Sequence, residues 1–238
     1  MRLNKFLSKT GIVSRRGADR MILSGKVSVN DMVVTELGSV IDEKNDTVSV
    51  DGKTLSLPKE FLYLALNKPV GYLVTLNDKF GRPTVMELMG EYRKKVRPIG
   101  RLDLDSSGLL LFTNDGEFAF RLSHPRYEID KKYLVKCESF ITDESISRLE
   151  KGIELDDGIT SPAIIKLISR TKAFCRFYIT IHEGRKRQIR RMCSAIGSEV
   201  LTLRRISIGK IELGDLKPGK YRSLEKTEIN ELKENLGL

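Results

Sequence analysis

The segment GRLDLDSSGLLLFTNDGE, Gly100 to Glu117, sets an Arg-Leu-Asp triplet directly before an apolar run, and Leu109 to Phe112 reads as a buried strand. An acid at the edge of a core strand costs desolvation free energy unless it is paired or does chemistry, so Asp103 is the first candidate for a catalytic carboxylate. The competing reading is a loop-capping Asp at a Ser-Gly turn. A second chemical segment is HEGRKRQIRRMCSAIG, His182 to Gly197. It opens on a glycine turn and predicts a helix over 186–196, with Ile189, Met192, Cys193 and Ile196 as its apolar face. Five of the seven residues from Arg185 to Arg191 are cations, with no acid among them. The usual fate of such a run is a solvated face, but uncompensated charge this dense suits an anion, here an RNA backbone.

Two further patterns imitate sites. GDLKPGK, Gly214 to Lys220, begins like a phosphate-binding loop, but Tyr221 stands where a magnesium-holding Ser or Thr is needed and Pro218 removes a backbone donor. Asp103, Asp105, Ser107 and Gly108 imitate the opening of a calcium loop, yet its twelfth position is Asn114 and the flanks read as strands. Composition points the same way as the cationic segment. The chain has 238 residues and a net charge of +10, which favours a polyanionic partner, nucleic acid first. Cys137, Cys175 and Cys193 are far apart and odd in number, which suits reduced thiols and gives no zinc spacing. The two histidines, His124 and His182, exclude a histidine-rich metal site. No apolar run approaches the roughly 18 residues of a membrane span, and MRLNKFLSKTG lacks the apolar core of a signal peptide; a cytoplasmic protein is expected.

The elements that must position these residues fall into two groups. The first thirty residues hold seven cations (Arg2, Lys5, Lys9, Arg15, Arg16, Arg20, Lys26) against one acid, Asp19. Leu3, Phe6 and Leu7 recur at helical spacing, Gly11 ends that helix, and Ser14 caps a second one with Ala18, Met21, Ile22 and Leu23 inward. GKVSVNDMVV and DTVSVDGKTL then read as strands with Asn-Asp and Asp-Gly turns. Pro58 marks a boundary near 58–61. Downstream, strands are predicted at 61–66, 108–113, 132–137, 173–181 and 205–213, and helices at 84–92, 117–122, 143–151, 186–196 and 225–235. That irregular order argues an α+β fold.

NKPVGYLVT (67–75), GRPTV (81–85), GRLDLDSSGLLLFTNDGE (100–117), KKYLVK (131–136) and EGRKRQIRRM (183–192) resemble, in order and spacing, the motifs of the RsuA/RluB-type ribosomal RNA pseudouridine synthases. SRRGADRMILSGKVSVND resembles the alpha-L RNA-binding module which that family shares with a small-subunit ribosomal protein and tyrosyl-tRNA synthetases. The resemblance spans essentially the whole chain. It implies a small alpha-L domain over 1–58 and, over 61–238, a mixed, largely antiparallel synthase sheet with flanking helices. The implied reaction breaks a uridine's glycosidic bond, rotates the base and rejoins it through carbon 5, with no cofactor and no metal. By resemblance Asp103 is the essential aspartate, attacking the sugar or removing a sugar proton. Tyr133 packs on the target base, and Arg190 pairs with Asp103 and keeps it ionised. Arg101 fills the space left by the flipped nucleotide. Lys68 and the Pro69 to Gly71 turn lend structural support. Contacts to RNA are expected from Arg2, Lys5, Arg15, Arg16, Arg20, Lys26, Arg185, Lys186, Arg187 and Arg191. The implied partner is ribosomal RNA or a pre-ribosomal particle, met by a monomer away from membranes. The motifs stand closer to the large-subunit enzymes than to the small-subunit one. The rival class is a non-catalytic RNA-binding or ribosome-assembly protein, against which the joint presence of Asp103, Tyr133 and Arg190 tells.

Overall fold

The computed structural model describes residues 1–58 and 60–238. They divide into two units: Met1–Leu62 with Lys94–Val96 and Asn114–Gly116, and Tyr63–Arg93 with Arg97–Thr113 and Glu117–Leu238. In the first, α1 (Leu3–Lys9) and α2 (Arg15–Leu23) precede β1 (Val27–Val29), β2 (Met32–Val33), β3 (Val48–Val50) and β4 (Lys53–Thr54), paired in the order β2-β1-β3-β4. The Ser14 hydroxyl accepts from Gly17 N at 3.1 Å and so satisfies a free donor at the start of α2. Asn30, Asp31, Asp51 and Gly52 all have positive φ, which the two-residue hairpins require to match strand twist. Leu3, Phe6, Leu7, Ala18, Ile22, Val27, Val48 and Val50 share one core. Leu23, expected inward, is 60% exposed. It lies about 100° round the helix from Ile22, off the Ala18–Ile22 stripe.

The second unit is built on a nine-stranded sheet. Its strands are β5 (Tyr63–Lys68), β6 (Arg97–Ile99), β7 (Ser107–Thr113), β8 (Lys131–Glu138), β11 (Ile164–Arg170), β12 (Phe174–Ile181), β13 (Val200–Ile208), β14 (Ile211–Glu212) and β15 (Tyr221–Ser223). The order runs β11-β12-β8-β13-β7-β5-β15, with β14 on β13 and β6 on β7. A separate hairpin joins β9 (Glu154–Leu155) to β10 (Gly158–Ile159). The helices are α3 (Gly116–Ser123), α4 (Asp143–Lys151), α5 (Gln188–Ala195) and α6 (Lys226–Asn235), with a 3-10 segment at Val85–Tyr92. Phe118 and Leu122 of α3 and Leu232 of α6 bury Tyr63, Ala65, Leu109 and Leu111 of the sheet.

β7 and β13 run parallel, pairing Ser107 with Arg204 and Gly108 with Arg205, whereas the neighbouring pairings are antiparallel. Gly108 has φ +102°, and a Cβ there would lie 2.2 Å from the Arg205 carbonyl oxygen. Only glycine admits so close an approach, and it delivers Arg205 to the loop that carries Asp103. Three expectations are corrected. The strand read at 205–213 is two strands, β13 and β14, separated by a Gly209–Lys210 turn. The helix read from 186 begins at Gln188, because Arg187 sits in the left-handed region at φ +50°. Asp103 lies in the loop four residues before β7, outside the strand edge. The Gly214–Lys220 segment forms turns, and Gly219 N donates to the Asn67 carbonyl.

Candidate active site

A cleft of about 760 Å³ opens in the second unit, within the roughly 300–1,000 Å³ usual for small-molecule sites. Arg101, Asp103, Tyr133, Lys131, Arg187 and Arg205 all line it. The loop bearing Asp103 is held from below by Lys68, the last residue of β5. Its side chain is fully buried, and Nζ donates to the carbonyls of Asp103 (3.0 Å), Ser106 (2.7 Å) and Pro69 (3.1 Å). Burial pushes the Lys68 ammonium down to about 8, against the pull of Asp103 and Asp105. Gly71 N closes the turn on the Leu104 carbonyl at 2.8 Å. The NKPVG motif is thus a clamp on the aspartate loop. The Asp103 carboxylate itself remains 35% exposed toward the cleft.

The cation facing Asp103 is not the expected one. Arg187 Nη1 lies 4.0 Å from Asp103 Oδ2 and 3.2 Å from Asp105 Oδ2, whereas Arg190 pairs with Asp105 at 3.3 Å. Arg190 also donates to the carbonyls of Asp105 (3.0 Å) and Val200 (2.9 Å). The expected Arg190–Asp103 pair is therefore replaced: Arg187, outside the helix, reaches over the acids, and Arg190 fastens α5 to the neighbouring carboxylate and to β13. Asp105, two residues beyond Asp103, gathers both guanidinium groups.

The remaining arginines of the segment are also engaged. The turn of the β9–β10 hairpin brings Asp157 against Arg191, which binds both carboxylate oxygens at 2.9 Å. Arg185 donates to the carbonyls of Gly158 (2.7 Å) and Ile159 (2.6 Å) and to Glu183 (3.2 Å). Arg191, then Arg185, hold the exposed Asp157 carboxyl below its ordinary value. Gln188, nearly buried, links Glu183 Oε1 (2.6 Å) with Arg185 N (3.0 Å). The acids that relieve the run's repulsion come from other elements, so the count of like charges within the run overstated the free charge. Lys186 and Arg101 stay exposed on the cleft.

Tyr133 projects from β8 with 8% exposure, and its hydroxyl accepts from Arg205 Nη1 at 3.4 Å. Arg205 Nε donates to the Leu109 carbonyl at 2.7 Å, and its Nη2 is buried without a hydrogen-bond partner among the described residues. Arg205 is a cleft residue that sequence reasoning missed. The available signal was the pair Arg204–Arg205 in a strand, where alternation must turn one of the two inward. At the rim, beside Ser123 and Pro125, the Arg126 guanidinium lies 4.6 Å from the Tyr127 ring and 5.6 Å from the half-exposed Phe120 ring.

A clamped aspartate, an aromatic side chain and several cations thus line one cleft of an α+β fold. Residues 62–195 match the RNA pseudouridylate synthase family and residues 1–48 match the S4 domain, and the chain belongs to the pseudouridine synthase family. It is 43% identical to an uncharacterized RNA pseudouridine synthase of Aquifex aeolicus, covering 100% of this chain and 96% of the relative. It is likewise 43% identical to ribosomal large subunit pseudouridine synthase B of Bacillus subtilis, covering 98% and 95%. A crystal structure of a pseudouridylate synthase matches with TM-score 0.71 and 31% identity over 98% of this chain and 99% of that one.

Proposed function

We propose that this enzyme isomerises a uridine of large-subunit ribosomal RNA to pseudouridine, with Asp103 as the essential carboxylate. The observation that carries the reading is the meeting of Asp103, Tyr133, Arg187 and Arg205 on one cleft, in a chain whose Bacillus subtilis relative is named for the large subunit. A base inside folded RNA cannot be reached without leaving its stack, and the cleft is roomy enough to receive it. Tyr133 offers a stacking face and a hydroxyl held by Arg205. Arg187 keeps positive charge beside Asp103, and Arg101 stands at the opening where the vacated position in the RNA would lie. Residues 1–58 act as the RNA-binding module and 61–238 as the catalytic domain, working as a cytoplasmic monomer on ribosomal RNA or a pre-ribosomal particle.

Asp103→Asn is expected to lower pseudouridine formation by about 10³-fold or more while RNA affinity changes by less than about tenfold, because one neutral-for-charged swap removes chemistry more than footprint. Substantial turnover by that variant removes Asp103 from the mechanism. Mapping pseudouridines in ribosomal RNA from cells with and without the protein names the target. A site lost only from small-subunit RNA overturns the subunit assignment and leaves the chemistry in place.

A further inference from the structure

β8 and β13 each carry different chemistry on their two faces. Tyr133 and Arg205 turn toward the cleft, so alternation sends Lys132, Leu134, Lys136 and Arg204 to the opposite face. The register extends that face across four antiparallel strands. One row pairs Lys166, Tyr178, Leu134 and Arg204 in turn. The row on one side pairs Ser169, Arg176, Lys136 and Thr202, and the row on the other Ile164, Thr180, Lys132 and Ser207. None of these side chains is buried, and Ile164 is 70% exposed. The buried residues of the same strands, Val135, Cys137, Phe177 and Ile179 among them, face the other way into the core.

The three rows hold five cations and no acid; Glu138 and Glu212 stand only at the margins, opposite Phe174 and Ser207. Among the described residues none of the five cations enters an ion pair, in contrast to every arginine of the 185–191 run. Two diagonal contacts lay cations across the sheet: Lys132 Nζ is 4.8 Å from the Tyr178 ring and Lys136 Nζ 4.8 Å from the Phe174 ring.

We propose that this open sheet face is a second RNA-contacting surface, binding the sugar-phosphate backbone of a segment of the substrate RNA other than the one in the cleft. Unpaired cations release counterions when they meet phosphates, and the part-exposed rings and exposed aliphatic side chains among them accept bases as well. An acidic protein would satisfy the charge but would leave the rings without a use. The proposal rests on the RNA-modifying reading above.

The test compares the full chain with Lys132→Gln/Lys136→Gln/Arg176→Gln on deproteinised 23S ribosomal RNA. The half-saturating concentration should rise about tenfold and the slope of log affinity against log salt should flatten by about 2 to 3, at roughly 0.9 per phosphate contact, with the maximal single-turnover rate unchanged. Lys166→Gln/Arg204→Gln probes the same face from different strands and should flatten the slope by about 1 to 2. Unchanged slopes in both folded variants overturn the proposal. So does weakened binding confined to protein-containing ribosomal particles, which assigns the face to a protein partner. Filter binding reads the slope without turnover, so failure of the enzymatic reading leaves this result standing.

Discussion

The arginines of the first unit and those of the 185–191 run carry the same charge under different constraint. Arg15, Arg16 and Arg20 are exposed on α2, and Asp19, the acid of that helix, accepts instead from Asn4 at 2.8 Å. Arg185, Arg187, Arg190 and Arg191 are each fastened to a carboxylate, and three of them to backbone carbonyls as well. A tethered guanidinium has already surrendered its rotamer freedom and much of its hydration, so it suits a fixed place near reacting atoms. An untethered one keeps its counterions until phosphate displaces them, and so contributes affinity that salt erodes. The distinction predicts that the two groups fail differently when neutralised.

The largest effect belongs to the cleft. Arg187→Ala is expected to lower the maximal single-turnover rate about 10- to 100-fold with little change in the half-saturating RNA concentration, since it removes charge beside Asp103 and little footprint. Arg190→Ala should also cut the maximal rate, and in addition destabilise the fold by roughly 1–3 kcal/mol, because it abandons Asp105 and the Val200 carbonyl. Rate titrations combined with denaturant unfolding separate the two. If only the half-saturating concentration moves for Arg187→Ala, the comparison breaks and Arg187 joins the phosphate-binding group.

Local chemistry was legible in the sequence, and long-range pairing was not. The Ser14 cap and the Asn30–Asp31 and Asp51–Gly52 turns are decided by residues within a few positions of each other, and they stand as read. Asp103, Tyr133 and Arg101 line one cleft, on motifs that lie within or beside strong apolar strands, whereas Arg190 is fastened to Asp105 and Val200 outside its lining. What escaped depends on partners far along the chain. β11, at the sheet edge, shows almost no alternation, since its outer side has nothing to pack on. The β9–β10 hairpin has too few residues to show a period, yet its Asp157 restrains two arginines 28 and 34 positions on. The presence of Arg187 beside Asp103 goes with one left-handed residue, Arg187 itself, which lies outside α5 instead of within it.

A moderate effect is expected in the first unit. Arg15→Gln/Arg16→Gln/Arg20→Gln should raise the half-saturating concentration about tenfold and flatten the salt slope by about 2 to 3, leaving the maximal rate at saturation unchanged. Binding isotherms between low and physiological salt provide the check. A fall in maximal rate would show that the module also orients the target, and would blur the contrast drawn above.

The smallest effect concerns a cation that the cleft holds by burial. Burial, with Arg205 adding repulsion and Asp130 opposing, pushes the Lys131 ammonium down to about 8, and Nζ donates to the His182 carbonyl at 2.9 Å. An unfolded lysine titrates near 10.4, so between about pH 8 and pH 10.4 the unfolded chain binds more protons than the folded one. Stability contributed through this group therefore rises with pH across that window, the penalty for the buried charge being present in full below it. Lys68 acts in the same sense. Denaturant unfolding at pH 7.5 and 9.5 should show wild type gaining more over that interval than Lys131→Met, which keeps the Lys68 share alone. Equal gains would mean that Lys131 stays hydrated in solution, and would move it from the constrained cations of the cleft to the loosely held ones.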